Sequence, residues 1–158
     1  MTISQERSEE QIMLEYIVNE QIILAGQPQP EDWQRLVELG FDLVINMRGD
    51  PARAAVQAER ARAAGLRYVH LPFPAYELEQ EHLDVFRNAL AQARSGKVLI
   101  HCRTASRVAL VWMLHRMLNE GWSRERAEAE LRDVGYDEDS MDTFCFCVDD
   151  YFERTAAE

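Results

Sequence analysis

The sequence predicts an α/β fold: a mostly parallel central sheet flanked by helices, with a helical C-terminal part. Three observations lead there. The runs Ile22-Ile23-Leu24, Leu43-Val44-Ile45 and Val98-Leu99-Ile100 lack polar alternation, as strands covered on both faces do. Stretches with helical spacing separate them, and that alternation gives parallel strands joined by crossover helices. Beyond Gly121 only two helical stretches remain. At 158 residues the chain suits one domain with a sizeable core. The expected division is an N-terminal helical extension over 1–20 and a single α/β domain over 21–158.

In order, residues 2–20 are polar, with Ile12, Met13, Tyr16 and Ile17 spaced for a helix whose apolar face packs on the domain or on a second subunit. The strand Ile22-Ile23-Leu24 stops before Gly26, Pro28 and Pro30. A helix over 31–39 turns Trp33, Leu36, Val37 and Leu39 inward and is ended by Gly40. A strand spans 41–47. Arg48-Gly49-Asp50-Pro51 is a turn, and Pro51 suits the first turn of a helix that reaches Ala64 and is closed by Gly65. Residues 66–71 form a strand with His70 near its end. A stiff loop follows over 72–77, then a helix over 80–93 with Leu83, Phe86 and Leu90 on one face. The strand Val98-Leu99-Ile100 leads to 108–118, apolar almost all round and therefore a central helix. Ser123 is a natural N-cap for a helix reaching Val134, and a last helix covers 140–152. Trp33, Trp112 and Trp122 read as core.

Lys and Arg number 17 against 28 Asp and Glu, a net charge of −11. That balance argues against nucleic acid and anionic membranes as partners. No run reaches membrane-spanning length, and the N-terminus lacks the basic-then-apolar pattern of a signal peptide, so a cytoplasmic location is expected. Three cysteines are an odd number, and Cys145 and Cys147 stand too close for a disulfide framework. One of that pair reads as core and the other as incidental. No Cys/His cluster has metal-site spacing, so no structural metal is expected.

An acidic chain that binds an oxyanion must do so with local positive charge, and one stretch supplies it. Cys102-Arg103-Thr104-Ala105-Ser106-Arg107 joins a buried strand to the start of a buried helix. Free amides and the macrodipole at such a helix start favour an anion, and the same field favours a cysteine's reactive thiolate. Arg107 offers a planar fork suited to phosphate or sulfate oxygens, and Arg103 a second cation. A cysteine after an apolar strand is by itself commonly a small core residue. His101, the two arginines and the helix start shift the reading to a nucleophile in an anion-binding loop. Arg48 and Arg53 belong near the C-terminal end of the preceding strand, where open α/β sheets bind ligands. Arg48 is a candidate binding residue, and Arg53 reads as solvated.

His101-Cys102-x4-Arg107 after a hydrophobic strand resembles the signature of the cysteine-dependent dual-specificity and tyrosine phosphatase superfamily. The order of further segments resembles a bacterial branch, the phosphatase-like domain of beta-lactamase-hydrolase-like proteins. Those segments are Ala25-Gly26-Gln27-Pro28, a helix, Val44-Ile45-Asn46, and Gly121-Trp122-Ser123. The resemblance covers about Ile22 to Leu131 and implies the dual-specificity-phosphatase fold. It implies Cys102 as nucleophile, forming a phosphocysteine that water hydrolyses. Arg107 and the loop Arg103, Thr104, Ala105 and Ser106 would hold the oxygens. His101 would orient the loop and help keep the thiol ionised, and Thr104 or Ser106 would donate to the sulfur. No cofactor is implied, and the partner is a phosphorylated substrate or free oxyanion.

Three features depart from the superfamily pattern. Four residues separate Cys102 from Arg107 instead of five, a spacing shared with the bacterial branch and similar to rhodanese-type sulfurtransferases. Val108 stands where a Ser or Thr is usual. The superfamily's acid is an Asp from a loop well before the cysteine, and 72–81 holds none; Glu77 is the candidate acid, with Glu79 and Asp50 as other choices. A sulfurtransferase or persulfide carrier and a non-catalytic phosphate-binding module therefore stand beside the phosphatase, which the segment order favours. The residues select no oligomeric state and no physiological substrate.

Overall fold

A computed structural model describes residues 13–74, 76–94 and 96–156. Five strands, β1 (Glu15–Ile17), β2 (Ile22–Ala25), β3 (Leu43–Asn46), β4 (Arg67–His70) and β5 (Val98–His101), form one sheet in the order β1-β2-β5-β3-β4. β2, β5, β3 and β4 run parallel, and β1 pairs antiparallel with β2. This is the mostly parallel α/β plan. Its register matters for function: Ala25, His101, Asn46 and His70 lie in one row across the sheet. The strands end flush, so the loops that follow them emerge side by side.

The uniformly apolar strands are buried on both faces, with alternate residues entering two cores. Ile23, Val44 and Leu99 pack with Trp33 and Leu36 of α1 (Asp32–Glu38) and with Ala58 and Ala61 of α2 (Pro51–Ala63). Leu24, Ile45 and Ile100 face the other way. They pack with Leu83 and Phe86 of α3 (Gln80–Leu90), with α4 (Ser106–Leu114), and with residues of α5 (Arg124–Val134) and α6 (Glu138–Ala156). Every residue of α4 from Val108 to Leu114 is buried. Pro51 opens α2, whose N-cap Asp50 accepts from the amides of Ala52 and Arg53. Gly40 follows α1 at φ +90°, the left-handed exit that glycine makes cheaply. Ser123 caps α5 through the Arg126 amide. Trp33 and Trp112 are core, whereas Trp122 is part-buried between the guanidiniums of Arg116 and Arg126, at 4.1 and 3.6 Å. Among the described residues no helix is long and apolar enough to cross a membrane.

Four expectations need correction. The N-terminal helix over 1–20 is strand and turn where it is described; the rest, including Ile12, lies outside the described residues. Helical spacing over so few residues also suits an extended segment. Here β2 offers an open edge whose backbone groups need partners. The ring of Tyr16 then stacks on Tyr136 at 3.9 Å, a contact remote in sequence. The long central helix changes to a π-helical turn over His115–Asn119. There His115 packs edge-on to Phe86, and the Asn119 amide bridges His115 Nδ1 and the Leu83 carbonyl. α3 ends at Leu90, short of Ala93, whereas α6 extends past 140–152 at both ends.

His101 ends β5 fully buried, and burial pushes its imidazole down to about 3. His115 is lowered for the same first cause. A histidine held neutral in the folded state leaves the unfolded chain alone to take up the proton. Stability present above the unfolded value of about 6.5 is therefore lost as pH falls toward the folded one. For His101 the loss is about 1.4 kcal/mol per pH unit. Urea unfolding is expected to approach that slope as pH falls below 6.5, and His101→Asn to make it shallower while the part due to His115 remains. An equally steep slope in the variant contradicts the assignment.

Candidate active site

β2, β5 and β3 lie side by side, and three loops from their ends build the site. The Cys102 amide donates to Ala25 O at 3.2 Å, and the Gln27 amide to Arg103 O at 3.3 Å. Gly26 pairs with Thr104 across this contact. A Cβ at position 26 would stand 3.0 Å from Arg103 O, a tight contact relieved only if the two backbones move apart by a few tenths of an ångström, so glycine favours the approach. Gln27 Oε1 accepts from Arg48 Nη1 at 2.8 Å. On the other side, Asn46 Oδ1 accepts from the Arg48 amide at 2.8 Å while its Nδ2 donates to the Tyr68 hydroxyl at 2.7 Å. The segments Ala25-Gly26-Gln27 and Val44-Ile45-Asn46 are thus the two walls of the Cys102 loop.

A trans peptide sets its carbonyl and the following N–H in opposite directions. Arg103 O is tied back to Gln27, and Cys102 O faces His101 Nδ1 at a long 3.5 Å. The amides of Thr104 and Arg103 accordingly point the other way, out from the sheet. His101 is neutral because burial removes its charge. It can steady the loop as a donor, but it supplies no cation to the thiolate.

Outside the sheet lies a cavity of about 410 Å³. Its polar side carries Cys102, Arg103, Arg107, Arg48 and Asp50; Tyr76, Leu110, Phe144 and Cys147 form much of the rest. The sulfur-bearing residue is only 3% exposed but opens on this space. Arg107 Nη1 donates to Met47 O at 2.8 Å, whereas its Nε is buried with no acceptor from the protein. A buried donor left unpaired is costly, and an acceptor from a ligand would satisfy it. Burial, then the neighbouring Arg53 and Arg103, lowers the Arg48 guanidinium from its ordinary value, with Asp50 and Cys102 acting against them. Cationic side chains therefore converge here despite the chain's net charge of −11.

Thr104 and Ser106 line the cavity, and their hydroxyls meet each other at 3.5 Å. Ala105, buried, is the N-cap of α4 at φ +67°. Glu77 is brought elsewhere: exposed at φ +64°, it lines an adjoining shallow depression with Leu78 and Arg154, whereas the carboxylate residue in the Cys102 cavity is Asp50. Glu79 precedes α3 and its amide donates to His82 Nδ1 at 2.9 Å. Sequence reading missed Tyr76, Phe144 and Cys147. The i, i+3, i+7 spacing of Phe144, Cys147 and Tyr151 marks a buried face of α6 but not what it faces.

A family profile described as "Beta-lactamase hydrolase-like protein, phosphatase-like domain" matches residues 15–119. The beta-lactamase hydrolase-like protein of Xylella fastidiosa (strain Temecula1) is 29% identical over 126 residues, 76% of this chain and 29% of that protein. Dual specificity protein phosphatase TpbA of Pseudomonas aeruginosa (strain UCBPP-PA14) is 36% identical over 81 residues, 49% of this chain and 37% of TpbA. This chain thus spans well under half of the length of either relative. A crystal structure of P. aeruginosa TpbA superposes with a TM-score of 0.68 at 25% identity, covering 85% of this chain and 82% of that one. The matched profile takes in all five strands and the Cys102 loop, and the chain belongs to the phosphatase-like domain family of the beta-lactamase hydrolase-like proteins, within the cysteine-based phosphatase superfamily.

Proposed function

We propose that this chain hydrolyses phosphate monoesters through a phosphocysteine on Cys102. The observation that supports it best is Arg107. Arg107 lines the same cavity as Cys102; with Nη1 spent on the Met47 carbonyl, its guanidinium keeps a buried Nε that has no acceptor in the protein. A guanidinium with donors to spare suits the oxygens of a phosphoryl group. The Cys102 thiolate attacks phosphorus, the P–O ester bond breaks, and the leaving oxygen takes a proton. Water then attacks the phosphocysteine, releasing phosphate and the thiolate. Arg107 and the loop amides carry the charge that develops on the equatorial oxygens.

Asp50 is the proton donor in this scheme instead of Glu77, because it shares the cavity with the sulfur. Val108 is buried and bears no hydroxyl to assist the departing thiolate, so breakdown of the intermediate is the slow step. A structure of TpbA holds phosphotyrosine. The Tyr76, Leu110 and Phe144 wall here suits an aryl group, and aryl monoesters are the proposed substrate class.

Cys102→Ser is expected to abolish p-nitrophenyl phosphate hydrolysis, and wild-type protein to transfer no sulfur from thiosulfate to cyanide. Sulfur transfer without phosphatase activity would replace this reading with the rhodanese-like one. Tight phosphate binding with neither activity would leave a binding module. Arg107→Lys is expected to lower kcat/KM by roughly 10²–10³-fold, since a point charge cannot reproduce the fork. Near-normal turnover contradicts its role. For the acid, Asp50→Asn should slow phenyl phosphate, a poor leaving group, far more than p-nitrophenyl phosphate; general-acid help is worth about 10²–10⁴-fold. Glu77→Gln should change neither, and the opposite pattern returns the role to Glu77.

A further inference from the structure

We propose that Tyr136 is a positioning residue for the Cys102 loop, its hydroxyl holding the Ala105 carbonyl so that the Ser106 amide faces the oxyanion. The inference rests on the loop being an oxyanion site, as read above. Tyr136 lies between α5 and α6, beyond the residues matched by the family profile. Its hydroxyl donates to Ala105 O at 2.7 Å, a buried contact spanning 31 residues. The ring stacks on Tyr16 at 3.9 Å with an interplanar angle of 11°, and meets Phe144 edge-on at 5.3 Å. The phenol is therefore clamped by β1 and by a residue that lines the cavity.

Ala105 needs such a hold. At φ +67° it occupies left-handed backbone without being glycine, a strained conformation for a residue with a Cβ. Peptide planarity does the rest. Because Ala105 O is drawn to the phenol behind the loop, the Ser106 N–H must point to the opposite side. Gln27 acts in the same way on Arg103 O, and thus on the Thr104 amide. Remove the hydroxyl and a buried carbonyl loses its partner while the strained residue loses its restraint. The 105–106 peptide can then rotate, replacing a donor toward the oxyanion with a repelling carbonyl.

The test is Tyr136→Phe, which keeps the ring and its stacking. Two readouts do not need turnover: tungstate protection of Cys102 against alkylation, and the ratio of iodoacetate to iodoacetamide rates at Cys102. The variant is expected to need about tenfold more tungstate and to lose most of the preference for the anionic reagent, with kcat/KM lowered by about tenfold or more. Its thermal midpoint should fall by only a few degrees, the cost of one buried hydrogen bond, with the fold retained. Wild-type tungstate protection and reagent ratio in Tyr136→Phe overturn the proposal, whatever the turnover. If wild type hydrolyses no phosphate ester yet the variant still loses tungstate affinity, the phosphatase reading falls and the positioning role stands. Should Tyr136→Phe fail to fold, Tyr16→Leu frees the ring while leaving the hydroxyl. It should shift both readouts in the same direction by less, and no shift overturns the proposal.

Discussion

The site depends on the direction of a few peptide groups. A loop that grips an anion must turn its N–H groups inward, and each inward N–H obliges the preceding carbonyl to find a partner outside. Here those partners are Gln27 N–H for Arg103, the neutral ring of His101 for Cys102, and the Tyr136 hydroxyl for Ala105. The flush row of Ala25, His101 and Asn46 brings the first two within reach, because the flanking strands end level with β5. Sheet register, turn residues and loop polarity are therefore one arrangement. Oriented amides beside guanidiniums also make a local positive site in a chain whose overall field is negative.

Features encoded over a dozen adjacent residues were readable from sequence. The apolar run of β5, the polar loop and the all-apolar α4 stand together in the chain, and together they specify strand, anion loop and buried helix. The segments around Gly26 and Asn46 were recognisable only as an ordered pattern. Their physical reasons, a 3.0 Å approach to Arg103 O and a bifunctional amide under Arg48, appear once the strands are adjacent.

What sequence could not supply came from contacts remote along the chain. β1 exists because β2 has an edge to offer, and local spacing does not encode that. The charge state of His101 follows from complete burial, which the two residues beside it do not reveal. A related loop usually bears the acid and directs attention to Glu77, whereas the carboxylate residue that lines the cavity is α2's capping residue Asp50, remote from that loop in sequence. Tyr136 carried no motif at all; its significance lies in a hydroxyl reaching across 31 positions to a strained alanine.

The proposed reaction requires a covalent bond between Cys102 and phosphorus. Rapid mixing of enzyme with p-nitrophenyl phosphate, quenched and followed by peptide mass spectrometry, observes that bond directly. A burst of nitrophenolate stoichiometric with enzyme is expected, together with a phosphoryl adduct on the Cys102 peptide that decays at the steady-state rate. Linear release from the first turnover, with hydrolysis proceeding and no phosphorylated cysteine at any time, would contradict the account.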